Sequence, residues 1–183
     1  MDYAYTGLSK QITAVTTVWK ERIKMEPNWT AVVETGWTYK DDESRLVEYF
    51  AETERQHPSS ARAKFELARA LDYLGREAEA IPLYEEAVRL GLSAEYHAYA
   101  LLQLGSSLRN VGRVDEAVQV LIDAQRRYPE LPSISMFLGL SLYSQGNKSE
   151  ALKIVMRAML QYVQSSDIER YREAIISYID EIE

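Results

Sequence analysis

The sequence predicts an all-α fold, a right-handed superhelical stack of helix–turn–helix repeats with a helical cap at each end. The first observation is internal similarity: a shift of 34 residues places Leu104-Gly105 on Leu138-Gly139, and a third copy lies upstream. The second is periodicity, because apolar residues recur every three or four positions after Asp41, among many alanine, leucine, glutamate and arginine residues. A fixed period of this length indicates stacked repeats that contact only their neighbours.

Three repeats are predicted, with the bounds 61–94, 98–131 and 132–165. In each, two helices are separated by a glycine, a residue that favours the left-handed conformation just past a helix end. These glycines are Gly75, Gly112 and Gly146. The first and second repeats are offset by 37 residues rather than 34, so the extra residues around 95–97 are expected to lengthen one helix by about one turn.

Residues 1–60 are predicted to form an N-terminal helical cap that includes a degenerate repeat half. Apolar residues at helical spacing indicate a first helix over 8–26. The stretch 29–40 is ambiguous, and Gly36-Trp37 within it is typical of a turn. A further helix is predicted over 41–56.

Residues 166–183 are predicted to cap the other end with one helix over 167–182. One side of this helix is apolar and the other is charged, as the terminal helix of a repeat stack requires. The apolar side consists of Ile168, Tyr171, Ile175 and Ile179. Two helix starts also match the capping box, in which a polar side chain and an acid three residues on bond each other's backbone N–H. These pairs are Asn147 with Glu150 and Ser166 with Glu169.

The repeated residues resemble the tetratricopeptide repeat, a helix–turn–helix unit of 34 residues whose helices touch through small side chains. The residues that carry the resemblance are Leu67, Ala68, Leu71, Ala80, Tyr84 and Ala87; Leu101, Leu104, Gly105, Leu108, Ala117, Leu121, Ala124 and Pro129; and Leu138, Gly139, Leu142, Ala151, Val155 and Ala158. The chain departs from the family at Leu92 and Val163, which stand where the family has proline. The resemblance extends to small stand-alone bacterial members, and it implies that the first helices line a concave groove.

Charge and composition argue against several classes of function. The net charge is −7 and no segment is basic, which disfavours nucleic acid or an anionic membrane as a partner. The chain has no cysteine, which excludes disulfides and thiolate metal sites and fits a reducing compartment. No secretory signal is visible, and no apolar run approaches the length of a bilayer span. Together with the resemblance to bacterial proteins, these features predict a cytoplasmic protein.

No catalytic, cofactor or metal site is predicted. Only two histidines are present, His57 and His97, and neither has a ligand at helical spacing. Gly146-Asn147-Lys148-Ser149 lacks the preceding glycine and the strand of a phosphate loop. Gly105-Ser106-Ser107 lies within a predicted helix, where small residues favour close packing. We therefore expect an adaptor or scaffold that binds a protein or peptide, not an enzyme.

The resemblance places one set of side chains on the concave groove. The set is Arg62, Phe65, Arg69, Asp72, Tyr99, Leu102, Gln103, Ser106, Arg109, Asn110, Met136, Leu140 and Tyr143. The set contains three arginines and one aspartate, so its net charge is positive. Arginine can hold a carboxylate through two parallel hydrogen bonds. The tyrosines and Met136 of the set offer apolar area. The set predicts binding of an acidic or C-terminal peptide. Chaperone-binding members of the family carry a lysine–asparagine carboxylate clamp, which is absent here because Phe65 and Arg69 stand at its first-repeat positions.

Three other interpretations stay open at this point. In the first, the groove arginines bind no ligand and are ordinary solvated residues paired with nearby acids. Trp19, Trp29 and Trp37 alternatively form an apolar patch that joins two chains in a homodimer, instead of packing as a cap. Helix 8–26 alternatively folds into the groove as an internal ligand that a partner displaces.

Overall fold

A computed structural model describes residues 27–183, in which all the regular secondary structure is helical. The predicted helix over 8–26 lies outside these residues. The chain divides into two units, the first of which ends at Thr38, while the second comprises Tyr39–Glu183. The described part of the first unit contains α1 (Trp29–Trp37), in which Trp29 and Trp37 are both half-buried.

The second unit consists of eight further helices within the described residues. They are α2 (Glu43–Gln56), α3 (Ala61–Tyr73), α4 (Glu77–Leu90), α5 (Ala94–Asn110), α6 (Val114–Arg127), α7 (Pro132–Gln145), α8 (Lys148–Tyr162) and α9 (Ser166–Glu181). The pairs α3–α4, α5–α6 and α7–α8 are helical hairpins, and the second helix of a hairpin also packs on the first helix of the next. Helix α2 packs on α3, and α9 packs chiefly on α8. This is the predicted all-α repeat stack.

The hairpin turns of the three repeats have the same geometry. Each contains the predicted glycine with a positive φ, between 71° and 93°. In each turn, the backbone N–H of the residue after the glycine donates to a carbonyl five residues back, at 2.9 Å. These donor–acceptor pairs are Arg76 with Leu71, Arg113 with Leu108, and Asn147 with Leu142. The predicted extra turn is found in α5, which has 17 residues where α3 has 13.

Small residues set the distance between the two helices of a hairpin. A Cβ atom on Gly105 would lie 2.5 Å from Cγ of Leu121, so α5 and α6 approach more closely than any side chain at this position allows. Gly139 and Val155 repeat the contact between α7 and α8, again at 2.5 Å. The apolar core runs between these helices, and a continuous cluster joins Leu101, Val118, Leu121, Ala124, Ile134, Leu138, Leu142 and Ala151.

The turn predicted at Gly36-Trp37 is wrong. Gly36 is buried within α1, and the turn follows at residues 38–41. The helix is supported at both ends, because Asn28 Oδ1 accepts from the backbone N–H of Ala31 (3.3 Å) and the Thr38 hydroxyl donates to the carbonyl of Thr35 (2.6 Å). Such caps offset the roughly 1 kcal/mol that an internal glycine costs a helix.

The two predicted capping boxes are also wrong. Asn147 is the N-cap of α8 but forms no capping hydrogen bond through its side chain. The N-cap of α9 is Ser165 rather than Ser166, so Glu169 is the fourth helical residue and not the third, where the acid of a capping box belongs. Its carboxylate bonds Arg172 Nε (2.7 Å) instead. Tyr171 is exposed rather than packed with the isoleucines, since Arg172 lies nearer the centre of the inward side of α9.

Candidate peptide-binding groove

The predicted groove residues lie on the first helices of the three hairpins. The structure brings five of them together on one side of α5, at the spacing that places side chains on a common helix face. We call this surface the α5 face, and it consists of Tyr99, Gln103, Ser106, Arg109 and Asn110. Tyr99 and Asn110 are exposed, and the other three are half-buried. The neighbouring Leu102 packs on the core cluster instead.

Phe65 lies in the core and not on the groove surface. It is 1% exposed, and its ring centroid lies 6.1 Å from that of Tyr84 and 5.9 Å from that of Tyr96. These partners belong to α4 and α5, so the phenyl ring fills the junction between the first two repeats. We therefore remove Phe65 from the residues that a ligand could touch.

Two of the three groove arginines share one buried carboxylate, that of Glu66. Nε of Arg62 lies 2.6 Å from Oε1 of Glu66, an ionic contact that is not aligned as a hydrogen bond, and Nη1 of Arg69 donates to Oε2 at 2.8 Å. Glu66 has no exposed surface. Pattern analysis did not single out this residue, although its spacing of four from Arg62 and three from Arg69 was a signal that could have done so.

Arg62 is held in place by an aromatic ring as well. Its guanidinium carbon lies 3.4 Å from the ring centroid of Tyr96, a close cation–π contact, and its side chain is only 13% exposed. The Tyr96 ring in turn meets Tyr99 edge-on at 6.4 Å. Arg62 therefore joins the first two repeats, whereas Tyr99 presents a free edge of this aromatic row to solvent.

Asp72 also belongs to the junction between the first two repeats. Its Oδ1 accepts a hydrogen bond from the Ser107 hydroxyl at 2.9 Å, and its Oδ2 lies 3.4 Å from the donating hydroxyl of Tyr84. Burial raises the pKa of Asp72 above its usual value, and the bond from Ser107 opposes this shift. Burial, with the nearby Asp72 charge, also raises the pKa of Tyr84, so this phenol remains a donor.

At the junction between the second and third repeats, the equivalent positions hold a different pair. The repeat offset places Arg109 where Asp72 stands and Ser141 where Ser107 stands. Nε of Arg109 and Oγ of Ser141 are both buried, and neither has a hydrogen-bond partner among residues 27–183. A buried polar group left in this state costs about 1–3 kcal/mol. The second junction therefore lacks the bond that the first one has.

The outer nitrogens of the Arg109 guanidinium take part in an exposed chain of hydrogen bonds. Nη2 donates to Oδ1 of Asn110 (3.1 Å), and Nδ2 of Asn110 donates to Oε1 of Glu77 (3.1 Å). The direct partner of Arg109 is thus a neutral amide, while the nearest carboxylate in this chain of bonds is one residue further away. Arginine in such a place can still accept a carboxylate, which would form a stronger, charge-assisted bond.

Met136, Leu140 and Tyr143 form a separate apolar surface at the C-terminal end of the stack. They line one wall of a groove of about 510 Å³ between α7 and α8. We call it the open-end groove, and its lining residues are Met136, Gly139, Leu140, Tyr143, Lys148, Ala151, Leu152 and Val155. Nζ of Lys148, the one charged group in this lining, lies 5.5 Å from the centroid of the Tyr143 ring.

Within residues 27–183, no cluster of histidine and acidic side chains could hold a metal ion. Nδ1 of His97 lies 2.9 Å from the Tyr128 hydroxyl, and burial followed by the charge of Arg127 lowers the pKa of this histidine. In the same part of the chain, every helix is too short or too polar to cross a bilayer.

Comparison with known proteins places the chain among helical repeat proteins. A family model described as tetratrico peptide repeat matches residues 61–182. No curated protein sequence matches the chain. Solved structures with the same fold include MamA, which is 22% identical with a TM-score of 0.61 and covers 87% of this chain and 94% of its own. The protein TTC0263 of Thermus thermophilus is 20% identical with a TM-score of 0.62, and the alignment covers 92% of this chain and 95% of TTC0263.

A third structure with the same fold is YrrB, described as a tetratricopeptide repeat protein with an unusual peptide-binding site. It is 20% identical to this chain with a TM-score of 0.61, and the alignment covers 84% of this chain and 79% of YrrB.

Proposed function

Because the chain belongs to the tetratricopeptide repeat family, a family of protein–protein interaction modules, we propose that it is an adaptor whose concave groove binds a peptide through a carboxylate. The carboxylate is an acidic side chain or the C-terminus of the partner. The adaptor has no reaction of its own, and it acts in the cytoplasm. The peptide-binding site of YrrB, a protein of the same fold, is consistent with this proposal.

The observation that carries the proposal is the state of Arg109. Its Nε is buried without an acceptor among the described residues, and its Nη2 bonds only a neutral amide. A carboxylate at the α5 face would give the outer nitrogens of this guanidinium a charged acceptor in place of the amide, and a charge-assisted bond is the stronger of the two. Tyr99 lies two to three helical turns away on the same face and offers apolar area to the rest of the peptide.

Local charge favours an acidic ligand at this face even though the whole chain is negative. Glu66 pairs with Arg62 and Arg69, and the Asp72 carboxylate accepts from Ser107 and Tyr84, so both of these acids are already engaged by groups of this chain. The proposed contact residues after these corrections are Arg69, Tyr99, Gln103, Arg109 and Asn110. Arg62 supports the groove from beneath, and Met136 and Tyr143 belong to the open-end groove.

A peptide array tests this function on the full-length chain. Each acidic peptide is synthesised with a free C-terminal carboxylate and with a C-terminal amide, and again with glutamine and asparagine in place of its acids. We expect a subset of peptides to bind and to lose binding when the recognised carboxylate becomes an amide. Equal binding of all matched forms, or no binding by any of them, would contradict the proposal.

Self-association through the tryptophan-rich N-terminus stays a second prediction. Trp29 and Trp37 are half-buried on α1, and Trp19 lies outside the described residues. Light scattering of the full-length chain and of a 41–183 fragment tests it. An equal, monomeric mass for both would exclude this surface.

A further inference from the structure

The open end of the stack exposes side chains that the fold buries elsewhere. Leu152 and Val155 on α8 occupy the repeat positions of Val118 and Leu121 on α6. Val118 and Leu121 are 4% and 0% exposed, because α7 covers them, whereas Leu152 and Val155 are 50% and 38% exposed. The first repeat agrees with the second, since its equivalent residues Ile81 and Tyr84 are buried as well. Repeat 3 therefore has the contact surface for a following helix pair.

Helix α9 does not take the place of that pair. It is anchored on α8 by buried Ile179 and by an ion pair between Arg157 and Asp180 (2.7 Å). Arg157 lies well round the helix from the stripe that contains Leu152 and Met159, at 100° per residue. The stripe and the apolar side of α7 are consequently left exposed beside it.

From these observations we propose that the open-end groove is a homodimer interface, in which a second copy of this chain presents the same surface. The two copies are related by a two-fold axis. Each contributes a groove between α7 and α8 and a ridge of α8 side chains, so that the ridge of one copy fills the groove of the other. The surface consists of Met136, Leu140, Tyr143, Leu152, Val155 and Met159.

The size of the surface suits a stable dimer. These six residues are between 38% and 60% exposed. Taking about 200 Å² for a large, fully exposed side chain, they offer roughly 600 Å² of apolar area per chain, against about 800 Å² per partner in a standard interface including its polar rim. Such an area is at the upper end of the largest apolar patch found on typical monomers, and patches of this size are often functional.

The charge of the surface favours a second copy as the occupant. Two chains of net charge −7 repel each other, so a surface without acidic side chains is the place where this repulsion opposes contact least. None of the residues that line the open-end groove is acidic, and the one cation among them, Lys148, lies over the Tyr143 ring. This surface is distinct from the α5 face, and the dimer does not depend on peptide binding.

Sedimentation velocity over a concentration series tests the dimer with the full-length chain. We expect the mass of the wild type to rise from 21.0 kDa towards twice that value. The double variant Leu152→Glu/Met159→Glu should stay monomeric, since glutamate is tolerated in a helix but not at an apolar interface. Val111→Glu places the same charge on an exposed apolar residue of a hairpin turn, and it should dimerise like the wild type.

A cross-linking experiment checks the geometry independently of any loss of folding. The chain has no cysteine, so Val155→Cys introduces a single thiol within the proposed interface. A short bis-maleimide should join two copies of this variant, because packed helices lie about 8–10 Å apart, and it should leave Val111→Cys monomeric. A wild type that stays monomeric, a dimer that survives Leu152→Glu/Met159→Glu, or equal cross-linking of both cysteine variants would overturn the proposal. A dimer lost only on removal of residues 1–28 would also overturn it, because it would assign self-association to the N-terminus.

Discussion

At Glu66, one fully buried carboxylate holds two arginine side chains on neighbouring turns of α3. The variant Glu66→Gln removes the charge that pairs with both of them and leaves the nearly buried Arg62 guanidinium without it. We expect a loss of about 3–5 kcal/mol in the free energy of unfolding, as for other broken buried pairs, measured by urea denaturation. Asp123→Asn breaks the exposed pair with Arg126 and should cost less than about 1 kcal/mol. Similar losses in the two variants would show that Glu66 is not the support we describe.

Asp72, at the junction between the first two repeats, makes the free energy of unfolding depend on pH in a predictable direction. Burial is the largest cause of its raised pKa, so the native state holds this proton more tightly than the unfolded chain does. Its contribution to stability is therefore present below the unfolded pKa and is lost as the pH rises through the folded value.

Asp72→Asn should remove this dependence while keeping an oxygen that accepts from Ser107. The variant, relative to wild type, should gain stability on going from about pH 4 to pH 7, measured by urea denaturation at both values. A relative loss over the same interval would contradict the assigned direction.

At the scale of the element, the two interhelical glycines make a matched pair. In Gly105→Ala the new Cβ meets Leu121, which is fully buried and cannot move aside. In Gly139→Ala it meets Val155, whose side chain borders the open-end groove and can move, and it also lies 3.3 Å from the carbonyl oxygen of Ala151, so α8 must shift by a few tenths of an ångström. We expect Gly105→Ala to cost about 1–3 kcal/mol and Gly139→Ala clearly less. Chemical denaturation of both variants decides the point, and a larger loss for Gly139→Ala would show that α7 and α8 pack as tightly as α5 and α6.

The helices of the stack could be predicted because each repeat encodes its own hairpin. Apolar spacing and the glycines at 75, 112 and 146 are local signals, and the structure follows them closely. The turn at Gly36-Trp37 failed because composition alone did not reveal the cap at Asn28 and the bond from Thr38 to Thr35.

At the scale of the whole molecule, the groove could be predicted only in outline. Family positions placed Phe65, Asp72 and Arg62 on the ligand side, but the structure uses all three at the junction with the next repeat. Two of the same positions in the third repeat, Met136 and Tyr143, are exposed apolar residues, because α9 does not cover them. A repeat position thus has different roles along the stack, and which role applies depends on a neighbouring helix that one repeat's sequence does not specify.

The binding of a carboxylate at Arg109 is tested most directly by one variant, Arg109→Asp. The first junction already contains an aspartate at this position, bonded to a serine, so Ser141 should donate to the new carboxylate and the fold should be kept. We would titrate an array-selected peptide into wild type, Arg109→Asp and Arg126→Asp, the last being the same charge change on an exposed arginine of α6. We expect an unchanged melting temperature for Arg109→Asp with at least a tenfold loss of affinity, equivalent to about 1.4 kcal/mol, and little change for Arg126→Asp. Unchanged affinity in a folded Arg109→Asp variant would contradict it.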